Sequence, residues 1–175
     1  MSKEWNAAVY HQVSSPQISW GKKVMARISL RGDETILDAG CGTGRLTRDL
    51  LEALPRGRVV ALDVSQNMID AARAYLTPDF DDRLEFVACD LLHMQFEAKF
   101  DGIFSTASFH WVRDHDALFE RLYRALRPGG WLCAQCGGTG NLDCFLGRVQ
   151  VLMATPARRG PALPARLSTL EYPRQ

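Results

Sequence analysis

Short apolar runs alternate along the chain with stretches whose apolar residues recur at helical spacing. Ser15-Pro16 supplies an N-cap and a first-turn proline, after which Trp20, Val24, Met25 and Ile28 fall on one helical face. Gly32 is the stop, and residues 35–38 read as a short buried strand. Leu46, Leu50, Leu51 and Leu54 make a second helical stripe that ends before Pro55 and Gly57. Residues 58–62 form a second strand, and Ser65 caps a helix with Met68, Ile69, Ala72, Tyr75 and Leu76 inward. Residues 84–88 and 100–105 are the third and fourth strands. Asp114 caps a helix with Leu118, Leu122, Ala125 and Leu126 inward, stopped by Arg127-Pro128-Gly129-Gly130, and residues 131–135 make a fifth strand. The alternation predicts an α/β fold: a doubly wound, mostly parallel sheet with helices on both faces. Ligands in such sheets bind beyond the carboxyl ends of the strands, where the winding direction reverses.

Composition narrows the function classes. The chain has 175 residues, 46% of them hydrophobic and 23% charged, which is the make-up of one globular domain and excludes disorder throughout. A formal net charge of +1 offers no pull toward nucleic acid or an anionic membrane. No apolar run is long enough to span a bilayer, and the start lacks a signal peptide, so a cytoplasmic protein is expected. The cysteines Cys41, Cys89, Cys133, Cys136 and Cys144 are odd in number, poor material for a disulfide framework. Cys133 and Cys136 form a C-x-x-C inside the fifth-strand run without a second ligand pair, so no metal is expected. Three segments follow: a helical lid over 1–32, a ligand-binding domain over 33–153, and a proline- and arginine-rich irregular tail over 154–175.

The chemistry concentrates at three strand ends. Gly40, Gly42 and Gly44 follow the first strand and open a helix, which lets the backbone turn sharply and a ligand lie against bare main chain. Asp63 ends the second strand 19 residues past Gly44, where a carboxylate can accept both hydroxyls of a ribose. Asp90 ends the third strand, where it can accept from an adenine amino group, with Leu91 and Val64 supplying apolar faces. Together these describe a nucleoside pocket. A dinucleotide does not suit it: Arg45 stands where the dinucleotide fingerprint wants a third glycine, and Asp38 beside the turn repels phosphates. An acidic mouth suits a sulfonium and an ammonium instead.

The runs Ile36-Leu37-Asp38-Ala39-Gly40-Cys41-Gly42-Thr43-Gly44, Leu62-Asp63-Val64-Ser65-Gln66-Asn67-Met68 and Cys89-Asp90-Leu91 resemble the successive motifs of class I S-adenosylmethionine-dependent methyltransferases. The segment from Phe104 to Trp111, with Leu126-Arg127-Pro128-Gly129-Gly130, resembles the branch holding trans-aconitate and malonyl-carrier-protein carboxyl methyltransferases. The resemblance covers roughly Trp5 to Leu152 and implies a Rossmann-like fold with S-adenosylmethionine as cofactor. By that resemblance Gly40, Cys41 and Gly42 pass under the methionine part of the cofactor, and Asp63 holds the ribose. Met68 packs near the adenosine, Asp90 and Leu91 meet the adenine beside Cys89, and Ser105 sits near the transferred methyl. Tyr10, His11 and Trp20 are candidate lid residues.

The expected reaction is methyl transfer to a small-molecule acceptor, most simply an oxygen such as that of a carboxylate. A hydroxyl or amine acceptor needs a general base, for which His110, just past the fourth strand, is best placed. A non-catalytic S-adenosylmethionine-binding domain or partner subunit is the alternative. The resemblance also implies sixth and seventh strands, for which about 40 residues after Gln135 leave little chain. A fifth strand left at the sheet edge invites self-association, and a shortened enzyme would have weak activity.

Overall fold

All five expected strands are present and every pairing between them is parallel. The computed structural model describes residues 15–138, together with Ala7. The strands are β1 (Thr35–Ala39), β2 (Arg58–Asp63), β3 (Leu84–Ala88), β4 (Phe100–Thr106) and β5 (Leu126–Gln135). The helices are α1 (Ser15–Met25), α2 (Arg45–Ala53), α3 (Gln66–Phe80) and α4 (His115–Ala125). The strand order is β3-β2-β1-β4-β5. The chain therefore winds outward from β1 to β3, then crosses back to β4 on the other side of β1. The reversal places the ligand crevice of a doubly wound sheet between the ends of β1 and β4.

Alternating side chains feed two cores. Ile36, Val59 and Phe104 pack on one face with Val24 of α1, Leu50 and Leu51 of α2, and Ala72 and Leu76 of α3. Leu37, Ala39, Val60, Leu62 and Ile103 pack on the other with Leu118, Leu122 and Ala125 of α4. Coverage on both faces is why β1 and β2 read as nearly continuous apolar runs. Each fully buried leucine or isoleucine contributes about 1.5–3 kcal/mol of burial.

The caps follow from local sequence. Ser65 Oγ accepts from Met68 N at 3.4 Å, and Asp114 Oδ1 accepts from Ala117 N at 2.9 Å. Each satisfies an amide that the helix itself leaves unpaired.

Four expectations need correction. Helix α1 has Ser15 as its first residue and ends at Met25, before Ile28 and Gly32. Gly32 instead takes φ +91° in the turn before β1, close against Pro55. Trp20 is 50% exposed, so the buried face of α1 is carried by Val24 rather than by Trp20. Tyr75 is likewise at the rim of α3, with the Arg48 guanidinium over its ring at 5.5 Å.

The fourth correction concerns β5, which starts at Leu126 rather than Trp131. Leu126 pairs with Phe100, and the register then shifts so that Trp131 pairs with Gly102. Pro128, Gly129 and Gly130 are absorbed as a bulge, with Gly129 at φ +80°. Trp131 then lies over Gly102, where any Cβ would overlap the indole ring. Strand β5 is only partly covered, and with β3 it is one of the two outer strands among the described residues. The expected tail, the lid residues Tyr10 and His11, and the region where further strands were in question lie outside the described residues. None of the described helices is long and apolar enough to cross a membrane.

Candidate functional site

The turn after β1 is built from three glycines at positive φ: Gly40 at +88°, Gly42 at +55° and Gly44 at +82°. A side chain at any of them would be strained. The turn is tied to the end of β2. Gly40 N and Cys41 N both donate to Leu62 O, at 2.8 and 2.9 Å. Gly42 N donates to Asp63 Oδ2 at 2.9 Å, and Ser65 N donates to Asp63 Oδ1 at 3.0 Å. One carboxylate thus fixes both the glycine turn and the start of α3.

Protein neighbours account for two of the glycines. A Cβ on Gly44 would press on Leu76 and Ala72 of α3, and one on Gly40 would overlap the Ser108 side chain. Helix α2 starts at Gly44 with no side-chain cap. Asp38 lies beneath the turn, 3% exposed, and accepts from Thr47 Oγ1 at 2.6 Å. Burial pushes its carboxyl up to about 7; the Thr47 hydrogen bond opposes that rise and the charge of Asp63 adds to it. Cys41 is buried beside both acids, and burial first, then their charges, push its thiol well up. It is no thiolate nucleophile.

Across the other strand ends, Cys89 N donates to Asp63 O at 2.9 Å, and Cys89 Sγ lies 3.2 Å from Asp90 O. Asp90 Oδ1 accepts from Leu92 N at 2.9 Å and caps a single turn over residues 91–93. Leu91 and Met68 are buried, while Val64 is 38% exposed beside Asp63. Ser105, 1% exposed, donates to Ala39 O at 2.6 Å and so bridges β4 to β1.

The structure therefore links Asp38, Gly40, Cys41, Gly42, Asp63 and Cys89 through the ends of β1, β2 and β3. His110 stands apart, in the turn over residues 109–111 after β4, where Gly137 N donates to its Nδ1 at 3.4 Å. His115 Nε2 bonds Phe109 O at 3.1 Å. Cys133 is half-buried and Cys136 exposed, and among the described residues no three His, Cys, Asp or Glu side chains group as metal ligands.

Two residues at the site were not foreseen. Thr47 gives no signal beyond a polar residue interrupting the leucine stripe of α2. Ser108 gives none, because its importance depends on a contact 68 residues away in sequence with Gly40.

A sheet ordered β3-β2-β1-β4-β5, a glycine turn at its switch point and carboxylates after β2 and β3 define the nucleoside-binding arrangement of a class I methyltransferase. The family described as "Methyltransferase domain" matches residues 36–130, and the chain belongs to it. Trans-aconitate 2-methyltransferase of Acidovorax ebreus is 36% identical over 140 residues, covering 80% of this chain and 52% of the relative. The chain spans about half the length of the curated relatives it matches. Among solved structures, an S-adenosylmethionine-dependent methyltransferase from Mesorhizobium loti superposes with a TM-score of 0.55 at 32% identity. That match covers 63% of this chain and 50% of the other. Phosphoethanolamine N-methyltransferase 2 of Haemonchus contortus gives a TM-score of 0.68 at 23% identity, covering 82% and 37%, and shares the fold.

Proposed function

We propose that the chain binds S-adenosylmethionine in the crevice at the ends of β1, β2 and β4 and methylates a carboxylate oxygen of a small organic acid. The observation that carries the reading is the position of Asp63 at the end of β2, where its carboxylate accepts from Gly42 N and Ser65 N and so lies against the glycine turn. The residues suit this cofactor better than a pyrophosphate-bearing one, because the carboxylate of Asp63 lies against the glycine turn where a pyrophosphate would sit. Asp90 and Leu91 face the adenine, and Val64 and Met68 flank the adenosine. Gly40, Cys41 and Gly42 lie under the methionine part. Asp38 and Ser105 shape the turn from below, since both are buried in hydrogen bonds of their own.

When bound, S-adenosylmethionine supplies a methyl group on a sulfonium, transferred in line with loss of the positive charge. The chain's contribution is to hold acceptor and donor in register, which is worth about 7–11 kcal/mol when well achieved. A carboxylate acceptor supports this economy, because it needs no general base. His110, whose Nδ1 accepts from Gly137 N at 3.4 Å, is the candidate base for a hydroxyl or amine acceptor. The name of the Acidovorax relative, a methyltransferase of a tricarboxylic acid, supports the carboxylate class.

Calorimetry with S-adenosylmethionine, S-adenosylhomocysteine and NAD tests the cofactor. Labelled methyl transfer to a panel of carboxylic acids and phenols tests the acceptor. Binding of NAD but not S-adenosylhomocysteine would overturn the first assignment; methylated phenols without methyl esters would overturn the second.

A further inference from the structure

Ser108 lies where the loop after β4 meets the glycine turn after β1. Strands β1 and β4 are paired neighbours, with Asp38 beside Phe104, while β2 lies on the far side of β1. The proposed ribose carboxylate, Asp63, belongs to the β2 side. Whatever extends from the sugar toward the switch point runs alongside the place where the turn at Gly40 and the loop after β4 meet. There Ser108 Oγ stands over Gly40, in the space a Cβ would need.

The loop is set firmly. Ala107 takes φ +54°, a conformation that costs a non-glycine residue about 1–3 kcal/mol. Its amide donates to Gln135 O at 2.8 Å, and Trp111 N donates to Ser108 O at 3.0 Å. Phe109 anchors the next position in the core. Strain at Ala107 thus holds Ser108 over the glycine turn. The bland role for a serine before a short helical turn is to cap it, yet no side-chain capping bond is made here. Among the described residues the half-buried Ser108 hydroxyl has no hydrogen-bond partner.

We propose that Ser108 is a positioning residue for the amino-acid end of the cofactor, its hydroxyl donating to the carboxylate of that end. The inference rests on the cofactor reading above and adds a residue to it. Ser108→Ala keeps the Cβ that packs on Gly40 and removes only the hydroxyl. Binding is compared for S-adenosylhomocysteine, which carries the amino-acid end, and 5′-methylthioadenosine, which lacks it. The expected result is a roughly 10- to 100-fold loss for the first, the range for a hydrogen bond to a charged group, and no change for the second. Ser108→Thr should recover part of the loss. Unchanged affinity for S-adenosylhomocysteine, or equal losses for both ligands, would overturn the proposal. A wild-type protein that binds neither nucleoside would instead overturn the cofactor reading itself.

Discussion

Thr47 Oγ1 donates to Asp38 Oδ2 at 2.6 Å, closing the glycine turn between them into a buried loop. The acid it grips has its carboxyl raised by burial to about 7, above the ordinary carboxylate range. The folded protein therefore holds that proton more tightly than the unfolded chain does. Its stabilising contribution is complete below about pH 4 and is lost as pH rises through about 7. Asp38→Asn should leave stability unchanged near pH 4 and raise it by about 1–3 kcal/mol at pH 8. Thermal melts of both proteins across that range check the expectation; a variant less stable at pH 8 would show that the fold prefers the charged form.

Asp63 is expected to matter to binding more than any other single side chain. Asp63→Ala removes the acceptor for Gly42 N and Ser65 N and the acceptor proposed for the ribose. Affinity for S-adenosylhomocysteine should fall by roughly 10- to 100-fold, since 1.4 kcal/mol is tenfold and charge-assisted bonds are worth about 1.5–3 kcal/mol. Calorimetry showing wild-type affinity would remove Asp63 from the site.

Gly40 should resist substitution for two separable reasons. Its φ of +88° strains any side chain, and a Cβ there would overlap Ser108. Gly40→Ala is expected to cost about 2–4 kcal/mol, the sum of backbone strain and overpacking. Adding Ser108→Gly should recover the overlap but not the strain. Denaturant titrations of the double-mutant cycle measure this coupling, and strictly additive losses would deny the contact.

Ser105→Ala should be a stability variant. It removes the hydroxyl that donates to Ala39 O in the buried seam between β1 and β4, a bond worth about 0.5–1.5 kcal/mol. Urea titration should show that loss, while affinity measured well below the transition should stay within about threefold. A large change in affinity with intact stability would place the hydroxyl on the ligand instead.

The five strands of the described residues and the caps at Ser65 and Asp114 were legible in the sequence, because each depends on neighbours within a few residues. The placements of Gly40–Gly44, Asp63 and Asp90 were legible for a related reason. In a parallel sheet, consecutive strand ends arrive at the same edge, so positions just past each strand converge. Trp20 and Tyr75 misled because helical spacing marks a stripe but not where the covering element ends. The early start of β5 was hidden by Pro128-Gly129-Gly130, which locally signals a stop and is tolerated where one flank of the strand lacks a partner among the described residues.

By itself, then, the sequence determined the alternating fold, its family and the strand ends that bear the acids, all properties carried by short-range pattern and spacing. Tertiary structure alone decided that Asp38 lies buried against Thr47, that Ser105 is committed to Ala39, and that Ser108 fills the space above Gly40. The first depends on how α2 folds back beneath the glycine turn, and the other two on segments that meet only when β4 is inserted beside β1. No local propensity encodes such a meeting. It is set by the close packing of whole elements, where a fraction of an ångström separates a hydrogen bond from a clash.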